Sequence, residues 1–214
     1  MDEPSTAGQV AIVGMAVLLP GARDLRAYWR NLCDGVDAIT DLPPGRWDER
    51  FYAADAGTGS AVQPDQMYCR RGGFIDGLAD VDVARFGIAP SSVAGIEPDQ
   101  LIALQVAADA VGDAGGQWCL PADRSRAGVV LGRGGYLTPG LARLDQRVRT
   151  STQLVHTLGE LIGDLDPATA GRVRSAFTAQ LGPYQPESAI GLVPNLAASR
   201  IANRLDLHGP AYTV

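Results

Sequence analysis

The chain has 214 residues, a net charge of −6 and a sequence pI near 4.8, with 46% hydrophobic and 20% charged residues. This is ordinary globular composition, and the length suits one domain or part of a larger one. The acidity argues against a nucleic-acid partner, the absence of a run of roughly 18 apolar residues argues against a membrane span, and the polar start lacks the features of a secretory signal.

The first part of the chain predicts the opening of an α/β fold. Residues 1–8 are expected to be a disordered lead-in, and the apolar run at 10–13 predicts a buried strand that ends at Gly14. Asp24 is placed to cap a helix, and Gly35 is placed to end it. A strand, a loop and a helix in this order are typical of the α/β class.

A polar, glycine-rich stretch follows at 40–73 and predicts a long ordered loop. Trp47, Phe51 and Tyr52 are the large apolar side chains expected to anchor it. Loops of this length are uncommon unless they serve function or an interface, so this segment is predicted to be one of the two.

The rest of the chain alternates predicted helices and strands. A helix with proline at its first position begins at 97–98, and the run at 127–131 predicts a second buried strand. Residues 138–181 predict an all-helical insertion. A last helix covers about 194–205 and contains small residues, and 211–214 begins a strand.

The glycine cluster at 132–135 follows a predicted strand, as the phosphate-binding loop of a dinucleotide site would. No third glycine stands at the offset that the dinucleotide fingerprint requires, and the residues after the cluster do not begin a helix. A pyrophosphate needs both, so an α/β nucleotide-binding domain is disfavoured.

The nucleophiles and metal ligands do not form a recognisable site. Cys33, Cys69 and Cys119 are scattered, odd in number and without a C-x-x-C pair, which indicates reduced thiols in a cytoplasmic protein. Cys33 and Cys119 are expected to be core thiols. His156 and His208 lack ligand spacing and a catalytic partner, so no metal site and no complete active site are predicted.

Read as a series, six segments resemble the β-ketoacyl synthase (ketosynthase) domains of type I polyketide synthases. They are the opening VAIVGMA (10–16) with LPGA (19–22), NLCDGVDAI (31–39), LPPGRWD (42–48), GGFI (72–75) with FGIAP (86–90), EPDQ (97–100), and SRIAN (199–203) with LHGPAYTV (207–214). Each segment is short, and it is their order along the chain that makes the resemblance specific.

The resemblance implies a thiolase-like α/β fold with α/β/α/β/α layers, of which residues 9–214 would form only the N-terminal half. It implies decarboxylative Claisen condensation by a cysteine and two histidines. The nucleophilic cysteine is expected a few residues after Val214 and the histidines beyond it. The parent protein is therefore expected to be an acyltransferase of polyketide biosynthesis, and the chain by itself to be truncated and inactive.

The resemblance also implies partners. They are a second copy in a homodimer, an acyl carrier protein whose phosphopantetheine carries the substrates, and downstream synthase domains, with no metal or redox cofactor. The residues that match the family's dimer interface and acyl-pocket lining are Ser188, Leu192, Val193, Asn195 and Ser199.

The chain departs from the family pattern at several positions. Asp99 and Leu101 stand where the helix start usually has glutamine and arginine, and 17–19 replaces a common cysteine–arginine–phenylalanine. The sequence of 194–204, with the helical insertion before it, resembles that of iterative synthases of the enediyne and polyunsaturated-fatty-acid types. The alternative function is a non-catalytic thiolase-fold module for dimerisation or acyl binding, which a stop directly after Val214 would favour.

Overall fold

The structure is a computed structural model, and it describes residues 10–52, 65–135, 137–183 and 186–214. Within these ranges the chain forms helices, short strands and several 3₁₀ turns. In chain order the helices and strands are α1 (Leu25–Cys33), β1 (Thr40–Asp41), β2 (Arg71–Gly72), α2 (Pro98–Asp113), β3 (Val129–Leu131), α3 (Pro139–Asp145), α4 (Ser151–Ile162), α5 (Pro167–Ala179), α6 (Pro186–Gly191), α7 (Leu196–Arg204) and β4 (Ala211–Thr213). The described residues divide into two compact units, one combining the stretch up to Asp80 with Val106–Cys119, the other combining Val81–Gln105 with Leu120–Val214.

The helices begin where side-chain caps and prolines predict. Asp24 accepts a hydrogen bond from the backbone N–H of Ala27 at 2.7 Å, and Asp166 accepts from Ala168 and Thr169 at 2.9 and 3.0 Å. Such caps satisfy N–H groups that have no partner inside the helix. The predicted helix after Glu97 is confirmed as α2, with its proline at the first position.

In the first unit, the predicted strand at 10–13 is wrong. The backbone of this segment pairs with no strand of the described chain, and Val10, Ile12 and Val13 are 94, 80 and 73% exposed. A run of apolar residues becomes a buried strand only between neighbouring strands, and a local pattern does not supply them. Gly14 is nevertheless packed, because a Cβ there would overlap the carbonyl oxygen of Ala110.

The predicted loop after α1 is closed by two short strands. Thr40 pairs with Gly72 in the antiparallel register of β1 and β2. Of the three predicted anchors only Tyr52 is buried, with the Arg70 guanidinium 4.3 Å from its ring centroid, whereas Trp47 and Phe51 are exposed. Residues 53–64 lie outside the described ranges.

In the second unit, β3 and β4 run parallel, with Val129 opposite Ala211 and Leu131 opposite Thr213. Helix α7 contacts both strands, and its small or apolar residues are buried: Ala197, Ala198, Ile201 and Ala202. Small side chains allow the helix backbone to approach the strands closely. The predicted strand at 127–131 is confirmed as β3, but its predicted burial is wrong: Val129 and Leu131 are half-buried and Val130 is 64% exposed.

The helical character of 138–181 is confirmed in the second unit. Helices α3, α4 and α5 occupy this stretch, and a π-helical segment over 146–150 joins the first two. Gly163 has a φ of 87°, a left-handed value that ends α4. That the stretch is an insertion stays a prediction.

Candidate functional site

Strand β4 is the centre of the candidate site, and on one side β3 satisfies its backbone. Val129 N–H donates to Pro210 O at 2.8 Å, and Val214 N–H donates to Leu131 O at 2.8 Å. Just beyond β3, the Arg133 N–H donates to Val214 O at 2.9 Å. The backbone groups of the even-numbered residues from 210 to 214 therefore point toward β3, as the alternation of a parallel pair requires.

On its other side β4 meets a side chain. The carboxamide of Asn195 accepts a hydrogen bond from Thr213 N–H at 2.9 Å through Oδ1, and Nδ2 lies 3.4 Å from Ala211 O. The Thr213 hydroxyl donates to Pro194 O at 3.2 Å. The loop before α7 is thus joined to the edge of β4 opposite β3.

A cavity of roughly 340 Å³ opens at the C-terminal ends of the two strands. Thr213 and Val214 line it together with Leu192 and Pro194, and the rest of its wall comes from the segment after β3 and the start of α3. Parallel α/β sheets bind ligands outside the carboxyl ends of their strands. The cavity lies at this end of β3 and β4.

Arg133, which lines this cavity, forms an ion pair beside it. Its guanidinium donates to Asp99 at the start of α2 through Nε at 2.5 Å and through Nη2 at 3.1 Å. The arginine side chain is 13% exposed, so the pair is partly shielded from water. Two parallel donors on one carboxylate fix the arginine in direction as well as in position. Asp99 is a departure from the family pattern, and this ion pair is the role the structure gives it.

The predicted interface residues separate into two groups. Leu192 and Ser188 line a small pocket of roughly 50 Å³ against α3, and Leu192 also lines the cavity at the end of β4. Asn195 and Ser199 contact each other, with Nδ2 to Oγ at 3.3 Å. Val193 is half exposed and lines neither space. Whether these residues meet a second copy of the chain stays a prediction.

Sequence reasoning missed a buried polar network beside these residues. Gln100 is fully buried, its Nε2 donates to Gly191 O at 2.8 Å, and its Oε1 accepts from the Arg200 guanidinium at 3.4 Å. Burial, followed by the nearby charge of Arg204, lowers the pKa of Arg200 from its ordinary value. The proline at the start of the helix predicted α2, but no sequence pattern indicated that the side chain of Gln100, its third residue, donates to the backbone of α6.

Glu97, the residue before α2, is also buried, and its Oε2 has no hydrogen-bond partner in the described part of the chain. Its Oε1 lies against Gly140, where a Cβ would overlap it. Glycine at 140 therefore makes room for the carboxyl group.

Two of the three thiols are not where the sequence predicted them. Cys33 and Cys119 are exposed rather than in a core, and Cys69 is exposed as well. For Cys33 the cause is visible, since Trp29 and Leu32 on the same helix are exposed too. The Cys69 and Cys119 thiols contact backbone oxygens, those of Arg71 at 3.2 Å and Gly116 at 2.9 Å. A backbone oxygen cannot act as the base that would activate a thiol.

The two histidines pair with nearby carboxylates. His208 Nε2 is 2.9 Å from Asp206, and His156 Nδ1 is 3.6 Å from Glu160 one helical turn away. All four side chains are exposed, which is typical of surface pairs that contribute little to stability. Across the residues that the structure describes, no three His, Cys, Asp or Glu side chains form a group able to hold a metal ion.

Comparison with known proteins gives one consistent result. The family model "Beta-ketoacyl synthase, N-terminal domain" matches residues 7–214. Polyketide synthase ThaG of Burkholderia thailandensis is 31% identical over 211 residues, which is 98% of this chain and 3% of that protein. Polyketide synthase PksN of Bacillus subtilis is 33% identical over 180 residues, covering 83% of this chain and 3% of that protein.

Solved structures agree. The oxazolomycin ketosynthase domain OzmH KS7 of Streptomyces albus superposes with a TM-score of 0.60 at 23% identity, covering 95% of this chain and 28% of that one. The ketosynthase from module 6 of the bacillaene synthase of Bacillus subtilis, in a cysteine-to-serine mutant form, gives a TM-score of 0.60 at 27% identity, covering 95% of this chain and 26% of that one. The chain therefore spans about a quarter of these ketosynthase chains and about 3% of the curated synthases. Within the described ranges, no helix is both long and apolar enough to cross a membrane.

Proposed function

Because this chain belongs to the β-ketoacyl synthase family, matching its N-terminal domain over residues 7–214, we propose that it is part of a ketosynthase that catalyses decarboxylative Claisen condensation in polyketide biosynthesis. The α/β, thiolase-like fold predicted from the sequence is confirmed by the ketosynthase structures it resembles. The substrates are acyl and malonyl thioesters on the phosphopantetheine of an acyl carrier protein. A cysteine takes the acyl group, and the enolate left by loss of CO₂ from the malonyl unit then attacks the acyl carbonyl.

The end of β4 is the observation that carries this proposal. The strand leads directly to the cavity lined by Thr213 and Val214, and both of its edges make hydrogen bonds near that end. A nucleophile a few residues after Val214 would therefore lie at this cavity, where the chain leaves the sheet. Preorganised geometry of this kind lowers the barrier because the reacting groups are already aligned.

The chain's own side chains supply the surroundings of that nucleophile. Leu192 and Val214 contribute apolar surface for an acyl chain, and Asn195 with Ser199 lies directly beside β4. The proposed second copy of the chain would approach this same side. In this proposal Ser188, Leu192, Val193, Asn195 and Ser199 form the interface with that copy and line the acyl pocket.

The remaining parts of the proposal concern partners and place of action. The acyl carrier protein and the downstream synthase domains are the partners, the reaction needs no metal or redox cofactor, and neither nucleic acid nor a membrane takes part. The protein acts in the cytoplasm, which its scattered unpaired thiols support. Membership of the iterative enediyne or polyunsaturated-fatty-acid type stays a prediction from the sequence.

Acylation of the complete protein in which the chain occurs tests the proposal. The protein is incubated with an acyl thioester, digested, and the acylated residue is mapped by mass spectrometry. The matched control is the Cys33→Ser, Cys69→Ser, Cys119→Ser triple variant, which removes the exposed thiols of this chain. We expect acylation at a cysteine after Val214, at the same rate in the control.

Three results would reject the proposal. Acylation confined to the three exposed thiols would show adventitious chemistry. A complete protein that holds no cysteine after β4, or that takes up no acyl group, would leave the non-catalytic dimerisation or acyl-binding module as the function.

A further inference from the structure

The carbonyl group at the C-terminal end of α6 is bound by a side chain from another helix. Gly191 is the last residue of α6, so its carbonyl oxygen has no partner inside that helix. The residue is buried, and a buried carbonyl needs a hydrogen-bond donor. Gln100 of α2, itself fully buried, supplies the donor through Nε2 at 2.8 Å. Gln100 therefore caps the end of α6.

Arg200 of α7 fixes the direction in which the Gln100 carboxamide faces. A guanidinium group only donates hydrogen bonds, so it has to meet the oxygen of the carboxamide. Nε and Nη2 of Arg200 each lie 3.4 Å from Oε1 of Gln100. With the oxygen turned toward Arg200, the amide nitrogen is left to donate to Gly191. Because α7 contacts both β3 and β4, the carboxamide connects the end of α6 to the helix that packs on these strands.

The residue that follows the capped carbonyl is Leu192, which lies in the wall of two spaces. It lines the cavity at the ends of β3 and β4 and the small pocket against α3. The carbonyl of Gly191 and the nitrogen of Leu192 belong to one planar peptide group, so fixing the carbonyl also fixes where Leu192 starts. From another side Gly191 packs on backbone, since a Cβ there would lie 2.5 Å from Gly95 O. A close backbone contact and a side-chain hydrogen bond thus hold this part of the wall.

We propose that Gln100 is a positioning residue that determines which acyl chains the candidate site accepts. By capping α6 it holds Leu192 in the cavity wall, and the place of that wall decides how well an acyl chain longer than acetyl is packed. This inference rests on the proposed function, which puts an acyl chain in this cavity. Gln100 lines neither of the two spaces, so it acts through Leu192.

Acylation kinetics with two thioesters test this role in the complete protein. The probes are the acetyl and hexanoyl thioesters of N-acetylcysteamine, and the acetyl group, which ends one carbon beyond the reacting carbonyl, is expected not to reach Leu192. Gln100→Met keeps a side chain of similar length and removes both hydrogen bonds. We expect KM for the hexanoyl thioester to rise about tenfold with kcat within about twofold, and both constants for the acetyl thioester to stay within about twofold. A wall that packs the chain equally in the ground state and the transition state changes KM alone.

Gln100→Glu separates the two hydrogen bonds of the carboxamide. It keeps an oxygen for Arg200, whose charge holds the new carboxyl group ionised, but it turns a second acceptor toward the carbonyl of Gly191. The cap of α6 is then lost while the contact with α7 is kept. We expect the same rise in the hexanoyl KM as in Gln100→Met. A hexanoyl KM equal to that of the wild type in Gln100→Glu would assign the effect to Arg200 and overturn the proposal.

Leu104→Ala is the matched control for lost stability. Leu104 lies about one turn further along α2 and is fully buried as well, but its side chain cannot cap a carbonyl. This variant is expected to be destabilised and to keep the wild-type ratio of the hexanoyl KM to the acetyl KM. Equal changes of this ratio in the Gln100 and Leu104 variants would show that reduced stability is the cause, and would refute positioning.

A double-mutant cycle tests whether Gln100 acts through Leu192. Leu192→Ala alone is expected to raise the hexanoyl KM about tenfold, because it removes the part of the wall that packs the chain. If the position of Leu192 is what Gln100 controls, adding Gln100→Met to this variant should raise KM by less than about threefold more. Independent effects, which would multiply to about a hundredfold, would contradict the inference.

Hydrogen exchange followed by mass spectrometry tests the cap without reference to activity. The exchange of the segment 186–193 is compared with that of 196–204 in α7. Gln100→Met is expected to raise the rate of the first segment about fivefold relative to the second, whereas Leu104→Ala is expected to change both alike. An unchanged ratio in Gln100→Met would refute the cap. A wild-type protein that takes up neither acyl group would refute the proposed function instead, and the exchange ratio would still decide whether Gln100 holds the end of α6.

Discussion

Replacing Gly191 with alanine tests the packing beside the candidate site. The added Cβ would lie 2.5 Å from Gly95 O, whereas ordinary van der Waals contact begins at 3.4 Å. Gly95 O is a backbone atom and a Cβ is fixed by its own backbone, so no side chain can rotate away, and one segment must shift by most of an ångström. The carbonyl of Gly191 accepts the hydrogen bond of the fully buried Gln100 side chain, and it would move with that shift.

Two costs add in this variant. Overpacking against backbone costs about 1–3 kcal/mol. Weakening the bond of a buried amide costs about 1–3 kcal/mol more, because Gln100 has no access to water in compensation. We therefore expect Gly191→Ala to lower the free energy of unfolding by about 2–6 kcal/mol.

Equilibrium unfolding in urea, followed by far-ultraviolet circular dichroism, measures this difference. The matched control is Gly171→Ala in the interior of α5, where an added Cβ meets nothing within 4 Å. This control is expected to stabilise the protein by about 0.5–1 kcal/mol, the difference in helix propensity between the two residues. If the free energy of unfolding of Gly191→Ala matched that of the control, the close packing of Gly191 against Gly95 would be refuted.

Three further predictions concern other parts of the chain. Leu104→Ala removes a side chain with no exposed surface and should cost about 2–5 kcal/mol in urea unfolding; a cost below about 1 kcal/mol would contradict its burial. Asp24→Ala removes the cap of α1 and should cost about 1 kcal/mol, whereas Asp24→Asn should restore most of it. Hydrogen bonds from Arg50 lower the pKa of Asp48 to about 2, so the contribution of this carboxylate to stability is full above its ordinary pKa of 3.8 and disappears as the pH falls through about 2. In Arg50→Ala, an NMR titration should find that the pKa of Asp48 has moved back toward 3.8, and an unmoved pKa would refute the pairing.

The features that the sequence predicted correctly are those encoded locally. Asp24 caps α1 through the N–H of a residue only three positions away, and proline at the first position marked α2. The family motifs are likewise short stretches whose order survives without any knowledge of packing. These local signals were sufficient for the fold class and for the family.

The features that the sequence missed depend on distant partners. The bond from Gln100 to Gly191 spans 91 residues, and its existence depends on how α6 packs against the 3₁₀ turn that precedes α2. The bond from Thr213 to Asn195 spans 18 residues and depends on which edge of β4 faces the loop before α7. No local pattern carries either fact, because pairing partners are set by tertiary structure.

The wrong predictions have the same origin. The segment at 10–13 reads as a buried strand because of its apolar run, and Cys33 reads as a core thiol because it follows a helical apolar stripe. Both expectations assumed that something covers the apolar side, and in the described chain both are exposed. Hydrophobic patterning thus indicates which side of an element is apolar, and burial depends on what packs against it.

Condensation by the complete protein tests the proposed activity most directly. The protein is first acylated, then mixed with malonyl acyl carrier protein, and the intact mass of the carrier protein is followed with time. We expect a β-ketoacyl carrier protein that carries the acyl group extended by one ketide unit, formed with release of CO₂ and retained in the Cys33→Ser, Cys69→Ser, Cys119→Ser triple variant. Malonyl carrier protein that stays unchanged, or that loses CO₂ without joining the acyl group, would contradict the proposed condensation.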